Sequence, residues 1–247
     1  MEYFLDTVET IPSGQGFSQF GGLHLMWLGL SVIVILLNCL AYRNFSDKGR
    51  ARWRKIIATL IVLDEVFKML MLILGDRYTA SYLPFHLCSI NIFIIAFHAQ
   101  KPTKSVSSFL YTVCIPGAVA ALLFPSWSAL PFVNFMHLHS FSIHILLAMY
   151  PLVLAVNGDI KIEVSSIPKC LALLLGMAIP IYIVNMFLGT NFMFLMSAEE
   201  GNPLYLFEQL WGNHLLGYPV IIIGILVLMY VPVLIARKIR LKKNPPA

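Results

Sequence analysis

The 247-residue sequence is 59% hydrophobic and 12% charged, with a mean hydropathy of +0.81. That composition leaves too little polar surface for a soluble protein and marks a multi-pass membrane protein. The formal charge of +5 is gathered between apolar stretches, against a nucleic-acid partner, and Cys39, Cys88, Cys114 and Cys170 lie in apolar runs, with no disulfide framework or CxxC zinc motif.

In chain order, residues 1–22 carry Glu2, Asp6 and Glu9, no base, and no basic start of a signal peptide. A spanning helix needs about 20 mostly apolar residues. Seven stretches qualify, at 23–42, 55–75, 82–100, 105–125, 136–156, 166–188 and 217–237, and together they predict a single all-α domain over 1–247. Six bases follow the first helix (Arg43, Lys48, Arg50, Arg52, Arg54, Lys55). Lys101 and Lys104 follow the third, Lys161 and Lys169 flank the connection from fifth to sixth, and five more close the chain. Fifteen of the 17 Lys and Arg therefore fall on one side. The positive-inside rule predicts an N-terminus outside and a C-terminus inside, with the bases beside anionic lipid. Trp27, Trp53, Tyr82, Trp127, Trp211 and Tyr218 lie near predicted helix ends and read as aromatic belts.

Polar residues concentrate towards the predicted outer side. The fifth helix opens FMHLHSFSIHILLAMYP (135–151). Residues seven apart nearly align on a helix, so His137, Ser140 and His144 share a face, and His139 points about 200° round from His137. That face predicts one wall of a polar pocket. The second helix carries Asp64, Glu65 and Lys68 at i,i+3 and i,i+4 spacings, which suit either a structural ion-pair network or a functional group. The third opens LPFHLCS (83–89), with Cys88 and Asn91 on one face and His86 nearly opposite. At about 1.5 Å per residue, Cys88, Lys68 and His144 fall within about one helical turn of the same depth.

A thiol becomes a nucleophile beside a base or cation, and a lone membrane cysteine otherwise serves packing. His24, His98 and His214 read as interfacial or hydrogen-bonded residues. His137, His139 and His144 offer an alternative set of zinc ligands, although His137 and His144 stand two turns apart. Ser140 and His144 form an SxxxH spacing that resembles one motif of seven-helix progestin-receptor and alkaline-ceramidase hydrolases, whose second histidine pair has no match here.

Glu65 with Lys68, the stretch 83–88 and His144 ahead of Pro151 together resemble the YwaF-like bacterial integral membrane proteins. That family is similar to an animal transmembrane acyltransferase of ether phospholipids, and more remotely to androgen-induced hydrolases of fatty-acid esters. The resemblance implies a nucleophile–histidine pair that handles a fatty acyl group within the bilayer. His144 is the matching histidine. The reactive cysteine of the animal enzyme corresponds to Phe85, and Cys88 stands one turn on, on roughly the same face. The remote hydrolases use a threonine, and Thr79 is the one nearby.

These observations predict a lipid acyltransferase or lipid hydrolase of the plasma membrane, acting through Cys88 and His144 without a cofactor. Asp64, Glu65, Lys68, His86, Asn91, His137 and Ser140 are expected to support that pair, and membrane lipids to be its substrates. The rival expectations are a zinc-dependent hydrolase and a transporter or receptor with the same polar lining.

Overall fold

The computed structural model describes residues 3–198 and 200–243, so Glu2 and Glu199 lie outside the described residues. Every regular element among the described residues is helical. Helix α1 spans Gly22–Arg43 and ends at Asn44. Helix α2 then spans Asp47–Leu74, starting well before the expected 55, because the Ser46 side chain accepts the Gly49 N–H at 3.3 Å and caps it. The bases from Lys48 to Lys55 therefore ride on the first turns of α2.

The third predicted helix starts later than expected. A 3-10 turn at Ala80–Tyr82 is followed by an extended link, and Pro84 holds Leu83 at φ −59° and ψ 148°. Helix α3 is Leu87–Gln100, with His86 at its N-cap. The fourth stretch is one rod in three parts: α4 (Lys104–Phe109), a π-helical turn (Leu110–Cys114) and α5 (Ile115–Leu123). Pro116 lacks the N–H that the Thr112 carbonyl would receive in α register, and the turn before it widens.

Helix α6, Phe135–Val156, begins where Asn134 Oδ1 accepts the N–H groups of Met136 at 2.8 Å and His137 at 3.2 Å. It stands in the middle of the bundle, packed on α1, α2 and α5. Its Ile143, Leu147 and Ala148 share the main apolar core with Ile61 of α2 and Ile92 and Ile95 of α3. Helices α7 (Ile167–Leu188) and α9 (Gly217–Lys243) flank this core. Between them lies α8 (Pro203–Trp211), within a stretch that carries no helical expectation; it exposes Leu206, Leu210 and Trp211.

Among the described residues, six stretches are long and apolar enough to cross a membrane: Gly22–Arg43, Ala80–Gln100, Lys104–Leu123, Phe135–Val156, Val164–Leu188 and His214–Ile235. The chain is a multi-pass membrane protein. The expected seventh, α2, is not among the six, although its 28 residues are long enough. Asp64, Glu65 and Lys68 interrupt its apolar run.

The aromatic-belt expectation fails for three tryptophans. Trp27, Trp53 and Trp127 are buried in the bundle, where each packs against other aromatic rings. At the basic end, Asp159 accepts from Arg50 at 2.6 Å and from the Tyr42 hydroxyl at 2.5 Å, and Arg54 stands 3.5 Å away. Two bases read as lipid-facing thus tie α2, and Tyr42 ties α1, to Asp159 just past the end of α6.

Candidate functional site

Helix α2 sorts its residues cleanly by side. Ile56, Leu60, Leu63, Phe67, Leu70 and Leu74 are exposed, at helical spacing, while Glu65 and Lys68 are buried at 7% and 6% exposure. Lys68 Nζ donates to Glu65 Oε1 at 2.5 Å, one turn apart. The partner from across the bundle is His139 of α6, with Nδ1 3.1 Å from Asp64 Oδ2 and Nε2 3.8 Å from Glu65 Oε2. The 3.1 Å approach is not aligned as a hydrogen bond, so both atoms remain unsatisfied although buried. Asn91 Oδ1, on α3, is buried and unpartnered as well.

The expected wall of His137, Ser140 and His144 divides. His137 accepts from Trp27 Nε1 at 3.0 Å, and its Nδ1 meets the Leu130 carbonyl at 3.1 Å. Both nitrogens are engaged, so His137 joins α1 to α6 within an aromatic cluster and is not a member of the polar group. His139, expected to face elsewhere, takes its place opposite the α2 carboxylates. His144 Nδ1 donates to the Ser140 carbonyl at 2.6 Å, which leaves Nε2 as the acceptor nitrogen. Its ring lies against Trp127, centroids 5.1 Å apart.

Cys88 is half-buried in the first turn of α3. It packs against the main apolar core. Helix α2, which carries Lys68, packs against both α3 and α6. Cys88 and His144 make no direct hydrogen bond. His86 Nδ1 accepts the Met193 N–H at 3.3 Å, from a strap that follows α7. Phe192 of that strap is fully buried against Phe85 and His86. Asn185 holds it there, accepting the Phe192 N–H at 2.8 Å and donating to its carbonyl at 3.0 Å.

The zinc alternative does not assemble. No three His, Cys, Asp or Glu side chains converge as a metal site among the described residues. His24, His98 and His214 all make hydrogen bonds: His24 to Leu122 O, His98 to Tyr150 and Ser107, and His214 to Phe194 O.

Residues 19–230 match the family model of the TMEM164 family. The chain belongs to the TMEM164 family. The match runs from just before α1 into α9 and so takes in every residue of the site. No curated protein and no solved structure matches the chain. In this TMEM164-family chain Trp127, expected in an aromatic belt, is instead the ring beneath His144, a contact that its place in a loop between two apolar runs does not signal. The strap over His86 was equally hidden, because only the fold brings residues 192–194 to the start of α3.

Proposed function

We propose that this protein is an intramembrane lipid acyltransferase or lipid hydrolase with Cys88 as nucleophile and His144 as base. One observation carries the reading: Lys68 is a buried cation on α2, the helix that packs both on α3, which bears Cys88, and on α6, which bears His144. His144 Nε2 takes the Cys88 proton, and the thiolate attacks the carbonyl carbon of an acyl ester. Lys68 and the first-turn amides of α3 stabilise the oxyanion. The ester C–O bond breaks, the leaving alcohol takes the proton from His144, and the acyl group rests on Cys88 as a thioester. A second lipid hydroxyl, or water, gives its proton to His144 and attacks that thioester, releasing the thiol. Catalytic hydrogen bonds often tighten only with substrate in place, which suits the missing Cys88–His144 contact. The resemblance to YwaF-like proteins and their animal acyltransferase relatives supports the same assignment.

In this reading α2 is a seventh span, because its exposed face is apolar while its charges turn inward. The distribution of Lys and Arg supports an outside N-terminus, and the membrane assigned in this reading is the plasma membrane. The substrates are membrane lipids that reach the site laterally, and no cofactor takes part.

A second reading, a proton-coupled transporter or receptor, draws on the chain Asp64–His139–Glu65–Lys68. An activity-based acyl probe on purified protein separates the two. The enzyme acquires a hydroxylamine-sensitive label that Cys88→Ser abolishes and His144→Ala reduces. A wild type that binds an acyl chain yet never takes the label ends the thioester scheme.

A further inference from the structure

A surface recess of about 400 Å³ opens between the ends of α1 and α6 at the basic end of the bundle, about 18 Å along α6 from His144. Cys39, Leu40, Arg43, Arg50, Val156 and Asn157 line it. The charged side chains in this lining are both cationic. Arg43 is exposed and makes no hydrogen bond or ion pair among the described residues. Arg50 gives Nη1 to Asp159 at 2.6 Å and Nε to the Phe45 carbonyl at 3.4 Å, which leaves its Nη2 edge unused. Asn157 has turned its amide protons to the carbonyls of Val153 at 2.9 Å and Cys39 at 3.4 Å. The recess thus presents guanidinium donors beside the exposed apolar side chains of Leu40 and Val156.

We propose that this recess binds a phosphate-bearing anion, gripped by Arg43 and the free edge of Arg50. Two guanidiniums from different helices suit a phosphate, whose oxygens point in several directions, better than a planar carboxylate, which one fork saturates. The local field has the right sign: six bases lie between Arg43 and Lys55, opposed by Asp47 and Asp159. The carbonyl ends of α1 and α6 also point here and repel an anion, so the site depends on both arginines. The phosphate belongs either to a phospholipid headgroup, whose glycerol would meet Leu40 and Val156, or to a free phosphate.

Thermal unfolding of the full chain in neutral detergent tests this, with phosphatidylglycerol, phosphatidylcholine or inorganic phosphate added in parallel. Either phosphatidylglycerol or inorganic phosphate raises the melting temperature of the wild type, and whichever acts at lower concentration identifies the source. Arg43→Gln loses about tenfold or more in apparent affinity, the scale of one charge-assisted contact. Arg43 has no partner to lose, so this variant folds, whereas Arg50→Gln would also undo the Asp159 pair. Lys48→Gln, on the same surface but outside the recess, stays within about twofold of wild type. No stabilisation by either ligand overturns the proposal. So does an equal loss in Lys48→Gln and Arg43→Gln, which would reveal diffuse charge attraction.

Discussion

Trp127 lies flat against His144, with ring centroids 5.1 Å apart and planes 11° from parallel. The indole fixes the imidazole from one face while the Ser140 carbonyl fixes it through Nδ1 at 2.6 Å. An imidazole so held presents one nitrogen in one direction. Trp127 Nε1 itself is buried without an acceptor. Trp127→Phe removes that unsatisfied donor and keeps a ring, so its stability stays within about 1 kcal/mol of wild type. Trp127→Ala costs about 3–5 kcal/mol. Denaturation in detergent distinguishes them; equal losses would deny the stack its role.

Glu65 and Lys68 form a buried pair, so halving it is worse than replacing it. Lys68→Met leaves Glu65 uncompensated and costs about 3–5 kcal/mol. Glu65→Gln on top of Lys68→Met restores most of the loss. A double variant no better than Lys68→Met alone would show that His139 already neutralises Glu65.

The two neighbouring histidines should part company. His137→Ala strands the Trp27 indole N–H and the Leu130 carbonyl and lowers stability by about 2–4 kcal/mol, without changing acyl-probe labelling per folded molecule. His139→Gln loses much less stability and alters the rate of labelling, because it faces the carboxylates of α2. The reverse pattern would move the site to the α1 side of α6.

Orientation is checked by adding cysteines to the parent chain. In intact cells, Ser13→Cys and Ser197→Cys react with an impermeant thiol reagent and Lys48→Cys does not. Ser13, Lys48 and Ser197 are all exposed, so their local reactivity is comparable. Labelling of Lys48→Cys alone would invert the chain in the membrane.

Helix α6 was legible in the sequence almost to the residue, because an apolar run bounded by Asn134 and Asn157 has few other ways to satisfy its backbone. Helix α3 was less so: Pro84 permits a first helical turn in principle, and the extended Leu83 that displaces it is a tertiary outcome. The site was half readable. Charges on α2 demanded a partner, and periodicity named the helix that supplies one, yet chose His137 over His139. Rotation of a helix among four apolar neighbours is set by packing, and the Trp27–His137 bond that decides it joins residues 110 apart. Asp159, which gathers Arg50 and Arg54, was invisible for the same reason.

The central place of α6 has a consequence for how the chain is made. A ribosome delivers α1 to α5 to the membrane before the helix on which α1, α2 and α5 pack has been synthesised. During that interval α1 waits with Trp27 unpaired, and α2 must hold Asp64, Glu65 and Lys68 without His139. Glu65 and Lys68, one turn apart, can neutralise each other unaided, which lets α2 insert early at the cost of one lone carboxylate. Assembly then turns on a single event, the arrival of residues 135–156. A nascent chain halted before that point can pack α2 on α3 but leaves α1 without its helix partner, a natural target for membrane quality control, whereas one halted after it already holds every partner of His139.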